Sequence, residues 1–257
     1  MNARAQLTAF KTLLVKEVLR FMRIWVQTVL PAAIITGLYF VIFGKMIGSQ
    51  LNDISGYSYM DYIVPGIILL AVINNSYSNV VSSFYSAKFQ HHVEEMLVSP
   101  MPNYLILLGF VSGGVLRGLI VGVVVMLVST VFTELSVHHA GIILLVMVLT
   151  AVLFALAGFL NAVFAKSFDD ISIIPTFVLT PLTYLGGIFY SIDMLPEFWQ
   201  QVSLLNPIMY MISAMRYGML GVSDVDVGHA LLMIALFVAG LFSLALYLLN
   251  KGVGIRS

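Results

Sequence analysis

The 257-residue chain contains no cysteine. A disulfide framework, a thiolate metal site and a cysteine nucleophile are therefore excluded. Charge is almost as scarce, with 9% of residues being Asp, Glu, Lys or Arg where a soluble domain carries roughly 25%. The formal net charge is zero and no basic patch is interleaved with aromatics, so nucleic acid is not an expected partner. Chemical signatures are missing as well. A phosphate-cradling loop needs G-x-x-x-x-G-K-[ST], and Gly44-Lys45 lacks both the upstream glycine and the following hydroxyl residue. Gly-x-Ser-x-Gly and His-Glu-x-x-His do not occur, so neither a serine-hydrolase elbow nor a zinc-protease helix is expected. His91 and Glu95 would share a helix face, but two ligands do not make a metal site, and His138-His139 falls far away in sequence. The chain is not expected to be an enzyme.

What is present in excess is apolar. Hydrophobic residues make up 60% of the chain and the mean hydropathy is +1.02, more than a globule of this length can bury. An all-α integral membrane protein is expected, as a single transmembrane domain over residues 1–257. Six runs approach the ~20 apolar residues that a membrane-crossing helix needs: Ile24–Ile47, Tyr62–Tyr85, Leu105–Phe132, Ile142–Ala165, Ile171–Phe189 and His229–Leu249. The fifth carries Pro175 and Pro181, which should kink it or break its hydrogen-bond ladder locally.

Lysine and arginine set the orientation, because short cytoplasmic loops retain positive charge. Arg4, Lys11, Lys16, Arg20, Arg23, Lys88, Lys166, Lys251 and Arg256 fall on one side if the runs alternate, which places both termini in the cytoplasm. The opposite side holds Lys45 and Arg216 with seven carboxylates from Asp53 to Asp226. The first 23 residues do not read as a cleaved signal peptide, since the apolar run begins late, is too long and lacks a small-x-small site. Leu7, Phe10, Leu14, Val18, Phe21 and Met22 recur at helical spacing beside basic residues, as expected of an amphipathic helix in the membrane interface.

Between the second and third runs lies SSFYSAKFQHHVEEMLVSPMP. Placed on a helix, Tyr85, Phe89, Val93, Met96 and Leu97 form an apolar stripe, and Ser99-Pro100 and Met101-Pro102 stop it. Glu94-Glu95 argues against docking on an anionic leaflet and for a partner protein.

This segment, with KEVLRFMRIWVQTVLPAAI, FAKSFDDISIIPTFVLTPLTYLGGIFYS and LLNPIMYMISAMRYGMLG, resembles the membrane subunits (permeases) of type 2 ABC exporters, over essentially the whole chain. The resemblance implies a bacterial inner-membrane permease working as a homodimer with two copies of a separate ABC ATPase. That ATPase, not this chain, would bind ATP and magnesium. It also implies a cytoplasmic coupling helix between spans two and three, carried here by Lys88, Phe89, Val93, Glu94, Glu95, Met96 and Leu97. Short re-entrant helices between spans five and six are implied for residues 191–229, where Trp199, Tyr210 and Tyr217 also suit an interfacial aromatic anchor. The implied substrate is a lipid, polysaccharide or hydrophobic drug-like molecule moved along the dimer seam. Asn74, Asn75, Tyr77, Phe177, Thr180 and Tyr184 are candidate path residues by position and polarity.

Two features stand apart from that resemblance. Gly114, Gly118 and Gly122 recur every four residues and suit close packing against a neighbouring helix of the same subunit, ahead of a dimer contact. Arg117, between them, is a charge inside an apolar run and must face protein, water or headgroups. An ion-driven carrier usually places an acid inside a span, and Asp61, Asp169 and Asp170 sit only at edges. That disfavours a secondary transporter, which with a membrane scaffold subunit is the competing reading, distinguished by acting without an ATPase.

Overall fold

The computed structural model describes residues 2–50, 53, 54 and 56–254, without the side chains of 45 and 49. The basic markers Lys45 (its side chain) and Arg256, and part of the polar loop after the first span, lie outside the described residues. The described residues are helical throughout, with no strand and only an isolated bridge between Ile54 and Tyr57. Helix α1 covers Ala3–Arg23, and α2 covers Trp25–Tyr39 with a π-type continuation over Phe40–Ile47. Then follow α3 (Tyr59–Phe89), α4 (His92–Val98), α5 (Asn103–Ser129) and α6 (Ala140–Phe164). Short helices α7 (Asp170–Ile174), α8 (Thr180–Tyr184), α9 (Glu197–Leu204) and α10 (Pro207–Leu220) lead to the long α11 (Val227–Lys251).

Local chemistry sets these boundaries. The side chains of Asn2, Ser58, Asn206 and Asp226 accept hydrogen bonds from the first-turn amides of α1, α3, α10 and α11, which have no partner inside the helix. At the other ends, Gly221 and Gly252 adopt the left-handed backbone (φ 79° and 68°) that closes α10 and α11.

Helix α3 is the axis of the bundle and is buried along most of its length. Helix α5 packs antiparallel to it because its glycines leave no side chain in the way. A Cβ on Gly114 would lie 3.0 Å from the Ser76 carbonyl oxygen and 3.2 Å from the Ala155 Cβ of α6. At Gly118 it would overlap the Ser76 hydroxyl, and at Gly122 it would meet Met147 and Val72 at 2.7 Å. The ladder thus seats α3 and α6 of the same chain.

Helix α1 packs against α5 of the same chain. Gln6 meets Tyr104 (3.2 Å), Leu13 fits over Gly109, Glu17 over Gly113, and Phe21 lines a notch with Arg117. These pairs advance together along both helices, so α1 runs lengthwise beside the first half of α5. Its inward face is Leu13, Glu17 and Phe21, one turn apart, while Leu7 and Met22 of the expected stripe are exposed.

Among the described residues five helices are long and apolar enough to cross a membrane: Trp25–Gly44, Tyr59–Phe89, Asn103–Ser129, Ala140–Phe164 and Val227–Lys251. The run expected as a fifth span, Ile171–Phe189, is not one long helix. It is helical from Asp170 to Tyr184, with a π-type turn over Pro175–Leu179 in the middle. Pro181 has no N–H to return to the preceding turn, and the Pro175 carbonyl accepts both the Thr180 backbone N–H and the Thr180 hydroxyl, the latter at 2.9 Å. This segment still travels the length of the bundle. Asn161, near the end of α6, donates to the Ile171 carbonyl (3.0 Å), whereas Tyr59, at the start of α3, donates to that of Phe189 (3.0 Å).

Both described ends of the chain meet at one end of the bundle. There Gln6 bonds to Tyr104, Asn103 to Asn250 (2.8 Å), and Lys88 to the last carbonyls of α6. At the opposite end α10 is wedged between α3, α6 and α11, almost wholly buried. Arg216 of α10, 1% exposed, donates from Nη1 to Asp224 at 2.5 Å and from Nη2 to the Gly187 carbonyl at 2.8 Å, and lies over the Tyr62 ring at 3.9 Å. Tyr210 is buried and donates to the Leu204 carbonyl, and Tyr217 packs on His138 and His139, so Trp199 remains the exposed ring of the expected anchor.

Candidate functional site

Two surfaces carry the candidate residues. The first is the corner after α3. The helix does not run on as a single stripe: His91 takes a left-handed backbone (φ 60°) and α4 sets off in a new direction. Its His91 Nδ1 lies 3.1 Å from a Glu94 carboxylate oxygen. The turn changes the facing of α4: Val93 is fully buried, and Met96 and Leu97 are partly buried against the core of the same chain. What α4 and the end of α3 present outward is Phe89 (62% exposed), His92, Glu95 and Val98.

Lys88 is also occupied within the chain. Its Nζ donates to the carbonyls of Val163 (2.7 Å) and Ala165 (2.8 Å), capping the C-terminal end of α6 where carbonyls lack helical partners. Phe89, Tyr85 and Phe168 form an aromatic cluster with centroids 4.8–6.4 Å apart. Phe89, Glu94, Phe164, Lys166 and Gly254 border a cavity of about 590 Å³ beside it. The loop on its rim is fixed by Asp170. The backbone N–H of Lys166 and the hydroxyl and N–H of Ser167 all donate to that carboxylate and hold it below the usual carboxylate range.

The second surface is a groove where α2, α3 and α8 meet. Gln27, Thr28, Thr36, Tyr39, Asn74 and Asn75 are among the residues around a cavity of about 290 Å³. Tyr39 and Asn74 also border a neighbouring one of about 130 Å³ with Thr180 and Tyr184. The structure therefore brings Asn74, Asn75, Thr180 and Tyr184 together, while Phe177 projects 73% exposed from the π-type turn nearby. Tyr77 is elsewhere: it is buried on the far side of α3 and accepts a hydrogen bond from Asn161 at 2.7 Å, so it does not border this groove. The wall is uncharged and rich in amide and hydroxyl groups. Gln27 and Tyr39 belong to it and were not singled out in the sequence, because nothing in an apolar run marks which face turns to a groove.

A third cluster was not expected at all. Glu17 of α1 is completely buried and accepts from the Ser83 hydroxyl (2.6 Å) and the Arg20 guanidinium (3.4 Å). Arg20 also reaches the Asn79 side-chain oxygen at 2.7 Å, and Arg117 approaches the same oxygen at 3.5 Å. Three of these groups are spread over α1 and α5 and the others sit on α3, so no local spacing announces them.

Comparison with known proteins places this architecture. The family described as ABC-2 type transporter matches residues 8–220. The chain is 54% identical over 249 residues to the inner membrane transport permease YadH of Escherichia coli, covering 97% of each protein. It is 24% identical over 218 residues to nodulation protein J of Sinorhizobium fredii (84% of this chain, 82% of that one), and 25% identical over 209 residues to nodulation protein J of Rhizobium leguminosarum bv. viciae. A family match spanning most of the chain, joined to more than half identity with a permease over nearly its whole length, shows that the protein belongs to the ABC-2 type transporter family of membrane permeases.

Proposed function

We propose that this chain is the membrane subunit of an ATP-driven exporter of the bacterial inner membrane, working as a homodimer with two copies of a separate ABC ATPase. Family membership supports an ATPase partner, since permeases of this family pair with one. ATP and magnesium are bound by that partner. The observation that carries the reading is the outward face of the corner after α3. Phe89 at the end of α3 stands exposed beside His92, Glu95 and Val98 of the short helix α4, whose other face is anchored in the bundle, a shape suited to pass a push from a partner into α3.

Six crossings are proposed, the one added to the five long helices being the broken segment from Ile171 to Tyr184 together with the turn to Phe189. Support comes from the two described chain ends meeting at one end of the bundle, which five crossings would separate. The positive charges at that end support cytoplasmic termini. Helices α9 and α10 then cap the outer end. The transport path runs along the groove of Gln27, Asn74, Asn75, Thr180 and Tyr184, sealed in the dimer by the second copy, and carries a lipid, polysaccharide or hydrophobic drug-like substrate outward. ATP-driven closure of the ATPase pair tilts α3 through α4 and widens this groove.

Because the chain has no cysteine, single cysteines test the seam directly. Tyr184→Cys is expected to form a disulfide-linked dimer in native membranes, and Leu145→Cys, exposed on α6, is not. Equal cross-linking at both positions, or none at Tyr184, would refute a seam at this groove.

A further inference from the structure

The cluster of Glu17, Arg20, Asn79, Ser83 and Arg117 has more positive than negative charge. It holds two guanidiniums and one carboxylate, whose Oε2 accepts from Arg20 and Ser83 while Oε1 is buried without a donor. Arg117 has no carboxylate partner among the described residues, and its Nε is buried without an acceptor. The Asn79 side-chain nitrogen is likewise buried and unsatisfied. An uncompensated cation inside a helix bundle is costly, and the usual resolution is a counter-anion that also accepts the orphaned hydrogen bonds.

The position says which anion. The Cα–Cβ bond of a helical residue tilts toward the helix N-terminus, so Arg117 is directed toward the start of α5, where α1 runs alongside. Both guanidiniums converge on the Asn79 side-chain oxygen, and among the described residues Arg20 Nη1 and Arg117 Nη2 have no acceptor. Beside Arg117 a small notch of about 20 Å³ opens between α1, α2 and α5, walled by Phe21, Met22, Trp25, Val29 and Ile120. Met22, Trp25 and Ile120 are exposed on the outer surface of the bundle. The exposed face of α1 adds Lys16 and Arg23. Paired guanidinium donors beside an apolar notch on the lipid-facing surface match a phosphate with an acyl chain attached.

We propose that Arg20 and Arg117 bind the phosphate of a cytoplasmic-leaflet phospholipid whose acyl chain lies along the notch between α2 and α5. The lipid supplies the missing negative charge and ties α1 to α5. This site does not depend on what is transported.

The test uses the full-length chain, purified and stripped of lipid by detergent exchange, with native mass spectrometry to count bound lipid and an unfolding midpoint to read its effect. Phosphatidylglycerol added to the micelles is expected to bind and raise the midpoint, and diacylglycerol, which lacks the phosphate, is not. Arg117→Gln should weaken phosphatidylglycerol binding by roughly tenfold, the scale of one charge-assisted hydrogen-bonded contact. Should that variant fail to fold, Arg117→Lys, which keeps the charge but not the fork of donors, is expected to bind more weakly than the native chain. Stabilisation by diacylglycerol equal to that by phosphatidylglycerol, or unchanged binding in the arginine variants, would overturn the proposal. An equal effect of inorganic phosphate alone would overturn the assignment to a lipid.

Discussion

Asp224→Ala should be among the most damaging single substitutions in the chain, although Asp224 lies outside every long helix. Arg216 is 1% exposed, its guanidinium sits 2.5 Å from the Asp224 carboxylate, and Tyr62 covers its face at 3.9 Å. Water cannot replace the lost carboxylate there, so the substitution leaves a buried charge with the Gly187 carbonyl as its remaining acceptor. Breaking a buried pair from one side costs about 3–5 kcal/mol, against about 0–1 for a surface pair. Asp224 also accepts from Ser191 at 3.2 Å, so the loop leading to α9 should loosen as well. The assay is unfolding of the purified protein by titration with a denaturing detergent, with Asp224→Ala compared to the double variant Arg216→Met/Asp224→Ala. Removing both charges should recover most of the loss, because no uncompensated cation remains. A loss below about 1 kcal/mol for Asp224→Ala, or no recovery in the double variant, would refute the idea that this pair pins α10 at the outer end.

Three further outcomes follow from the packing and the caps. Gly118→Ala should cost about 1–3 kcal/mol in the same titration, because its Cβ meets Ser76 and the Val72 carbonyl oxygen (3.2 Å), while Gly240→Ala, with open space around it, should be neutral or stabilising. Lys88→Met should fray the last turn of α6, seen as faster amide hydrogen exchange over Asn161–Ala165, since three of its carbonyls lose a charged donor. The turn at Asp170 should respond to acid in one direction only. Its carboxyl is held below the usual range, so its contribution is complete above the ordinary value of about 3.9 and is lost as pH falls through the lowered one. Amide exchange at Lys166 and Ser167 should therefore show no pH-linked loosening down to about pH 5, beyond the intrinsic change of exchange rate, and the transition below it should vanish in Asp170→Asn.

The helices were legible in the sequence because long apolar runs bounded by polar residues have few other solutions. The facing of short helices was not. A stripe of Phe89, Val93, Met96 and Leu97 reads as one partner surface if the helix is continuous, and the left-handed turn at His91 splits it, burying Val93, half-burying Met96 and Leu97 and leaving Phe89 exposed. The prolines marked the run as interrupted, yet the helix continues from Asp170 to Tyr184 by widening into a π-type turn over Pro175–Leu179, which the prolines alone do not announce. Arg117 was conspicuous as a lone charge, but its neighbours Glu17 and Arg20 lie nearly a hundred residues away and looked like ordinary members of a basic helix. The groove residues Asn74, Thr180 and Tyr184 were found from polarity alone, and Tyr77 shows the limit of that rule: a tyrosine in a span also serves to satisfy a buried asparagine such as Asn161.

The central claim is that a separate ATPase drives this permease through the outward face of α3 and α4. The direct measurement is a pull-down of the mildly solubilised protein from native membranes, with ATP hydrolysis assayed on what accompanies it. The account predicts that an ABC ATPase co-purifies with the native chain, is lost when Phe89 and Glu95 are both replaced by alanine, and is retained when buried Val93 is replaced by isoleucine. Recovery of the permease without any ATPase, together with transport in vesicles driven by an ion gradient alone, would contradict it.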